Sequence, residues 1–437
     1  GYQEARRLSA VRYCPARPGP APVRVDATRS DYDILIVGGG VAGLACACLL
    51  RHLLRDRRVP LRIGVLEAQA PRPLAAAADT GLRVFAIAPA GRVILTASGA
   101  WQTLPAGRAA PFERMRVWQS DSTPFGAGSI GFDAAESGAA ALGYIVEHDW
   151  LRLGLWSALA SPAAVPVALL TSSAPAALAM ESDAMDVQLN DGTHLRARLL
   201  VGADGGDSWV RSQLRLQSTD RPYGQSAVVA HVESDRPHER TAWQCFTPGG
   251  PVALLPLADG RSSVVWSCFE PQASELAALS GDDFSARLTA ATGGVLGRLR
   301  VTTPRLTLPL AARHTHRYTG ERFALIGDAA HQIHPLAGQG INLGLQDAAA
   351  LAGTLATHML GTHLADPGDA LVLRRYERRR KGANLLTMAA MEGLHRVFTS
   401  DSPTLTRLAT AGLGAVDRLP SIKRLLTEQA AGSHAEF

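Results

Sequence analysis

Lysine is nearly missing from this chain. Of the 44 basic residues among 437, all but Lys381 and Lys423 are arginine, a bias of GC-rich codon usage that points to a bacterial gene. Net charge is also lacking from most of the molecule. Acidic residues number 39, and residues 1–30 alone hold six arginines against Glu4 and Asp26. The rest is close to neutral and has no basic face, which argues against nucleic acid as a partner. Cysteine is sparse: five are scattered along the chain, and only Cys46 and Cys48 lie close together. That excludes a disulfide framework and fits a reducing compartment, expected to be the cytoplasm. No segment reads as a membrane-spanning helix. The stretch 153–180 carries no formal charge, but Pro162, Pro166 and Pro175 break it into a helix end, a loop and a strand. His331 and His334 are spaced like helical metal ligands, yet no third ligand accompanies them, so no metal is expected.

Residues 1–30, rich in Arg, Ala and Pro and without periodicity, are expected to be disordered. Abundant arginine suits a transit peptide, but the prolines do not, and no methionine precedes Met115. An upstream extension or expression remnant is the preferred reading.

What is present is glycine in patterned positions. The apolar run 31–37 reads as a buried strand, followed by Gly38-Gly-Gly40-Val-Ala-Gly43 and a helix from Leu44 to about Arg55. In that strand–turn–helix context the pattern is a dinucleotide fingerprint. Gly38 permits the tight turn, Gly40 lets a pyrophosphate approach, and Gly43 lets helix and strand pack closely. A second strand ends at Glu67, 24 residues beyond Gly43, where a carboxylate can accept from ribose hydroxyls. No second GxGxxG stands between a strand and a helix, so no separate nicotinamide-nucleotide domain is expected.

Two further stretches carry chemistry. The strand 198–201 delivers Asp204 and Gly205 to its carboxyl end, where open α/β sheets bind ligands. The local alternative for Asp204 is a helix N-cap, with Ser208 in the first turn. The strand 323–326 ends at Gly327 and Asp328; Pro335 then fixes the chain, and Gly338 and Gly340 open a helix running past Leu355. Free N–H groups in that first turn make an electropositive socket for an anion that forms during chemistry.

The block His334-Pro-Leu-Ala-Gly-Gln-Gly-Ile-Asn-Leu-Gly-Leu-Gln-Asp347 closely resembles the signature of the ubiquinone-biosynthesis hydroxylases (UbiH/UbiF/VisC type), which are FAD-dependent aromatic hydroxylases. The resemblance covers residues 31 to about 430. It implies that FAD is held by Gly38, Gly40, Gly43, Glu67, Arg83, Arg152, Asp204, Gly205, Gly327, Asp328, Gly340, Ile341 and Asn342. Pro335, Gly338, Gln339 and Gly340 would form the loop at the flavin face, with no acid or base residue assigned. NAD(P)H is implied as co-substrate, and O2 as the oxygen source through a C4a-hydroperoxyflavin. The implied substrate is a polyprenylated phenol or benzoquinone precursor of ubiquinone. Two alternatives stay open: another flavoenzyme on this fold (a halogenase, epoxidase or polyprenyl reductase), or a non-catalytic FAD-stabilised assembly subunit.

The expected fold is α/β. A Rossmann-type FAD-binding domain (31–110, 141–215 and 318–372) carries an inserted antiparallel β-sheet substrate domain (111–140 and 216–317). A helical C-terminal region follows at 373–437. Strands are expected at 227–232, 241–246, 252–255 and 262–268, with hairpin turns at Gly249-Gly250 and Asp259-Gly260. The run Arg374–Lys381, six bases against Glu377, is followed by Leu385, Leu386, Met388, Met391, Leu394, Val397 and Phe398 at roughly helical spacing. A basic cluster beside an apolar stripe suits peripheral contact with an inner-membrane surface, or with other ubiquinone-biosynthesis proteins.

Overall fold

The computed structural model describes residues 31–56, 61–126, 128–333, 339–361 and 365–398, with isolated positions between 412 and 432. His334, Pro335 and Gly338 lie outside the described residues, as does the segment 1–30.

An eight-stranded sheet is built around Tyr32–Val37, which pairs in parallel with Ile63–Leu66 on one side and His194–Gly202 on the other. Val167–Leu170 and Phe323–Leu325 extend it in parallel at either side. These strands read as continuous apolar runs because helices cover both faces. Ile34, Leu35, Ile36, Leu199, Leu200 and Val201 are all fully buried. The helix Val41–Leu53 packs against Gln339–Gly361, and small side chains bring the two together. A Cβ on Gly344 would stand 3.5 Å from the Ala42 Cβ and 3.4 Å from the Gly327 Cα. The stretch 153–180 holds a helix end and two strands, Val167–Leu170 and Pro175–Met180, where one strand was expected.

A nine-stranded sheet takes in Arg114–Gln119 and Ser129–Asp133 together with strands from Ser218–Ser234 to His331–Gln332. It departs from pure antiparallel pairing at one junction, where Thr241–Thr247 runs parallel to Arg114–Gln119. Two helices that the sequence reading left unassigned, Glu270–Ala278 and Gly281–Ala291, cover one face of this sheet. Strand alternation explains how. Val228, Ala230, Val232, Val252, Leu254, Val264 and Trp266 point one way and pack with Leu276, Phe284 and Leu288. Their alternating neighbours point to the other face, and that face lines the cavity described below. Between the two sheets lies a small antiparallel one, in which Gly143–Glu147 pairs with both Val84–Ile87 and Ala109–Phe112.

The helix Ala370–Phe398 bridges the assembly. Val372, Leu373, Tyr376, Arg380 and Asn384 are buried along its first half, and the Tyr376 hydroxyl donates to the Leu325 carbonyl at 2.8 Å. At its far end Phe398 stacks on Phe246 of the nine-stranded sheet, with centroids 4.2 Å apart. Among the described residues, no helix is long and apolar enough to cross a membrane.

Candidate active site

A cavity of about 1210 Å³ runs between the carboxyl ends of the parallel strands and the free face of the nine-stranded sheet. Gly38, Gly40, Glu67, Arg83, Arg152, Asp204, Gly205, Gly327, Asp328, Gly340, Ile341 and Asn342 all line it. Thus residues far apart in sequence converge on one space, because parallel strands all end on the same side.

The three fingerprint glycines do different jobs. Gly38 has φ +110°, and a Cβ there would sit 2.3 Å from the Ala203 carbonyl oxygen. A Cβ on Gly43 would lie 2.1 Å from the Gly38 oxygen, so this glycine sets helix-to-turn contact. A Cβ on Gly40 meets nothing within 4 Å. It would project into the open cavity at the start of the helix Val41–Leu53, which has no side-chain cap and no acid in its first turn. An uncapped helix N-terminus behind open space is a fitting cradle for a pyrophosphate.

Glu67 is fixed from three sides. Gly39 N–H donates to Oε2 at 2.7 Å, Gln69 N–H to Oε1 at 3.1 Å, and Arg152 lies 3.3 Å from Oε1. Arg152 also donates to the Gly39 carbonyl at 2.8 Å. It therefore ties the fingerprint turn to the end of the second strand and holds the carboxylate ready for ribose hydroxyls. A second ion pair, which sequence reading missed, does similar work nearby. Arg108 and Glu147 meet at 2.8 Å with both side chains nearly buried, and Glu147 accepts from Gly81 N–H at 2.6 Å. This pins the loop leading to Arg83, whose guanidinium lies over the Phe85 ring.

Asp204 lines the cavity, but its carboxylate is occupied locally, accepting from the Ser208 hydroxyl and, at 3.0 Å, from Val210 N–H. Ser208 in turn caps the helix Trp209–Gln213. The cap is therefore Ser208 and not Asp204, whose carboxylate braces that cap from the preceding turn. The backbone of Gly205, at φ +85° with nothing near an added Cβ, is what remains open to a ligand. Asn342 is likewise engaged, accepting from Ala88 N–H at 2.9 Å and donating to the Ala86 carbonyl at 2.8 Å. It anchors the start of the helix Gln339–Gly361 to the small sheet.

Asp328 is exposed into the cavity, within reach of its walls. Burial raises its carboxyl pKa, against the pull of His331 and Arg83. Behind it lies a network with no counterpart in the sequence reading. The fully buried Asp347 is hydrogen-bonded to the His331 ring and accepts from Arg380 at 2.7 Å, Asn384 at 3.1 Å and Gly327 N–H at 3.1 Å. Burial alone would raise the pKa of Asp347; His331 and Arg380 overcome this and hold it at about 2. His331 is therefore a structural partner, and no metal-binding cluster exists among the described residues.

Residues 177–388 match the family model described as FAD binding domain. The chain is 37% identical to the ubiquinone hydroxylase UbiL of Rhodospirillum rubrum, over 96% of this chain and 93% of that one. It is 33% identical to the 3-demethoxyubiquinol 3-hydroxylase of Escherichia coli, over 93% of this chain and 100% of that one. The chain belongs to the ubiquinone-biosynthesis hydroxylases. Like them it is an FAD-dependent monooxygenase. The fold is shared more widely. The p-nitrophenol 4-monooxygenase of Pseudomonas putida superimposes with TM-score 0.70 at 18% identity, over 92% of this chain and 98% of that one.

As a ubiquinone-biosynthesis hydroxylase the protein leaves oxygen activation to FAD, which supplies that chemistry when bound. Its own residues bind, orient and exclude water. Asp328, at the strand end and open to the cavity, could accept from a flavin side-chain hydroxyl. Loss of one such bond to a charged group is worth roughly 1.5–3 kcal/mol. Asp328→Ala is expected to weaken FAD binding about ten- to a hundredfold without unfolding; unchanged affinity by flavin fluorescence titration removes Asp328 from the site.

Proposed function

We propose that the enzyme hydroxylates the aromatic ring of a polyprenylated phenol or benzoquinone precursor of ubiquinone. NAD(P)H supplies the electrons and O2 the oxygen. The observation that carries the substrate reading is the apolar wall facing the flavin site. Leu306, Leu308 and Leu310 recur at every second residue along one strand, beside Ala227, Val229, Val265, Ala253 and Leu255, and all border the same cavity as Gly40 and Asp328. A wall of this kind removes a hydrocarbon substituent from water and keeps the reacting ring dry. The relatives named as ubiquinone hydroxylases support the same substrate class. Mass spectrometry of quinone intermediates in a strain lacking the gene tests it. A prenylated precursor short of one hydroxyl is expected to accumulate; a normal quinone profile counts against the reading.

A prenylated substrate resides in a bilayer, so the enzyme is proposed to work as a peripheral protein. The basic run is not all surface. Arg380 is buried against Asp347, and Glu377 is tied to Thr319 and Lys381, which leaves Arg374, Arg375, Arg378 and Arg379 exposed. The apolar stripe also divides. Phe398 and Met391 pack against the nine-stranded sheet, while Leu385, Leu386, Leu394 and Val397 stay between 37% and 64% exposed. Those leucines would equally suit another protein of the pathway. With about 1 kcal/mol per cation near an anionic surface, changing Arg374, Arg375 and Arg378 to Gln should lower affinity for anionic vesicles roughly a hundredfold at low salt. Equal co-sedimentation of wild type and variant sinks the membrane proposal.

A further inference from the structure

Two ladder rows of the nine-stranded sheet face the cavity. The first runs across five strands as Leu306, Val229, Val265, Ala253 and Gln244, each opposite the next. The second contains Leu308, Ala227 and Ser267. All eight line the cavity, and two of them are polar. Gln244 is 7% exposed and Ser267 2%, both border the cavity, and no hydrogen bond joins either side chain to another described residue, so their polar atoms are open to that space. Gln225 on the same sheet shows the usual outcome: its amide donates to the Gly249 carbonyl at 3.0 Å, and its oxygen is bonded to His395 at 2.9 Å. A carboxamide that faces a cavity in this way is free to pair with a polar group of whatever fills it.

We infer that the Gln244 amide, assisted by the Ser267 hydroxyl, holds a ring oxygen of the aromatic substrate and so fixes which ring carbon faces the flavin. The inference rests on the substrate reading above and adds to it a positioning residue and a selectivity rule. The carboxamide oxygen accepts from a phenolic O–H, a bond that an O-methyl ether cannot make, and its NH2 can donate to a quinone carbonyl oxygen. Neither row carries a cation, so a carboxylated ring would bury an unpaired charge against this wall. The chamber accordingly selects a neutral phenol or quinone over a benzoate. The row continues past Gln244 to Val117 and Ile130, but its cavity-lining part stops at Gln244, which orients the polar head while the hydrocarbon substituent lies along the leucines.

The test uses the FAD-loaded enzyme with two probes, a phenol bearing one short prenyl chain and its O-methyl ether. Each dissociation constant is read from the perturbation of flavin absorbance, and turnover from product formed per NAD(P)H oxidised. For Gln244→Leu we expect phenol binding about tenfold weaker, a lower fraction of NAD(P)H oxidation yielding product, and little change for the ether. FAD content serves as the control for folding. Equal weakening for phenol and ether assigns Gln244 a merely structural role and overturns the inference, as do unchanged affinity and coupling. If the wild type itself neither binds nor hydroxylates the phenol, the substrate reading fails and the inference falls with it. That outcome is read on the wild type alone, so the two failures are distinguishable.

Discussion

Gly40→Val is expected to give a folded protein that is colourless. The three glycines of the fingerprint are interchangeable in the motif but not in the structure. Side chains at Gly38 and Gly43 would run into backbone at 2.3 Å and 2.1 Å, so substitution there disturbs the fold as well as the cofactor. At Gly40 an added Cβ meets nothing within 4 Å, so the ligand-free fold accommodates it. The valine methyls would then stand where the pyrophosphate comes closest to the helix N-terminus. An unrelieved overlap of about 4 kcal/mol corresponds to a loss of roughly a thousandfold in affinity. Circular dichroism and the thermal midpoint of the apoprotein should match those of wild-type apoprotein, while flavin absorbance is lost on purification. Full flavin occupancy in Gly40→Val would show that the cofactor does not use this turn.

Asp347→Asn should be the most destabilising single change near the site. The carboxylate compensates both His331 and Arg380 in a fully buried position. Removing its charge leaves a buried guanidinium without its counter-ion, which typically costs 3–5 kcal/mol. The same group sets a pH signature. Its folded pKa of about 2 lies below the ordinary aspartate value of about 3.9. The stabilisation is therefore complete above roughly pH 4 and is lost as the pH falls towards 2, amounting to about 2–3 kcal/mol over that window. Urea denaturation at pH 7 should show a large drop in midpoint for Asp347→Asn, and the variant should lack this part of the wild-type acid sensitivity. Because Asp347 also accepts from Gly327 N–H, the variant should loosen the strand end that presents Asp328 and hold FAD more weakly. A midpoint within experimental error of wild type would refute the role given to this network.

How far sequence reading reached depended on whether a function is written locally. The fingerprint turn is a property of six consecutive residues, and Glu67 sits at a strand end that hydrophobic runs reveal. Both were legible for that reason. Arg380 was not, because within a run of basic residues nothing marks the one that turns inward. Its burial follows from the spacing of Val372, Leu373, Tyr376, Arg380 and Asn384 along one helix face, and its partner lies 33 residues upstream. Asp204 shows what a motif leaves unsaid: the carboxylate that lines the cavity also braces the next helix, through the Ser208 cap and Val210 N–H. The helices after Phe269 carried a usable signal, proline in the first turn of one and Ser280 capping the other, but it was overshadowed by the strand alternation before them. Gln244 could not be singled out from sequence. Its neighbours Trp243 and Cys245 point to the opposite face, and only the register of the strands shows that it closes the cavity-lining part of an apolar row.

The central claim is that this cavity joins an FAD site to an aromatic-ring hydroxylation chamber. The most direct measurement supplies the purified enzyme with FAD, NAD(P)H, a short-chain prenylated phenol and isotopically labelled O2, then analyses the product by mass spectrometry. A ring-hydroxylated product carrying one labelled oxygen atom is the expected result. NAD(P)H oxidation that yields only hydrogen peroxide under conditions where the phenol is bound, or a product whose new oxygen comes from water, would contradict it.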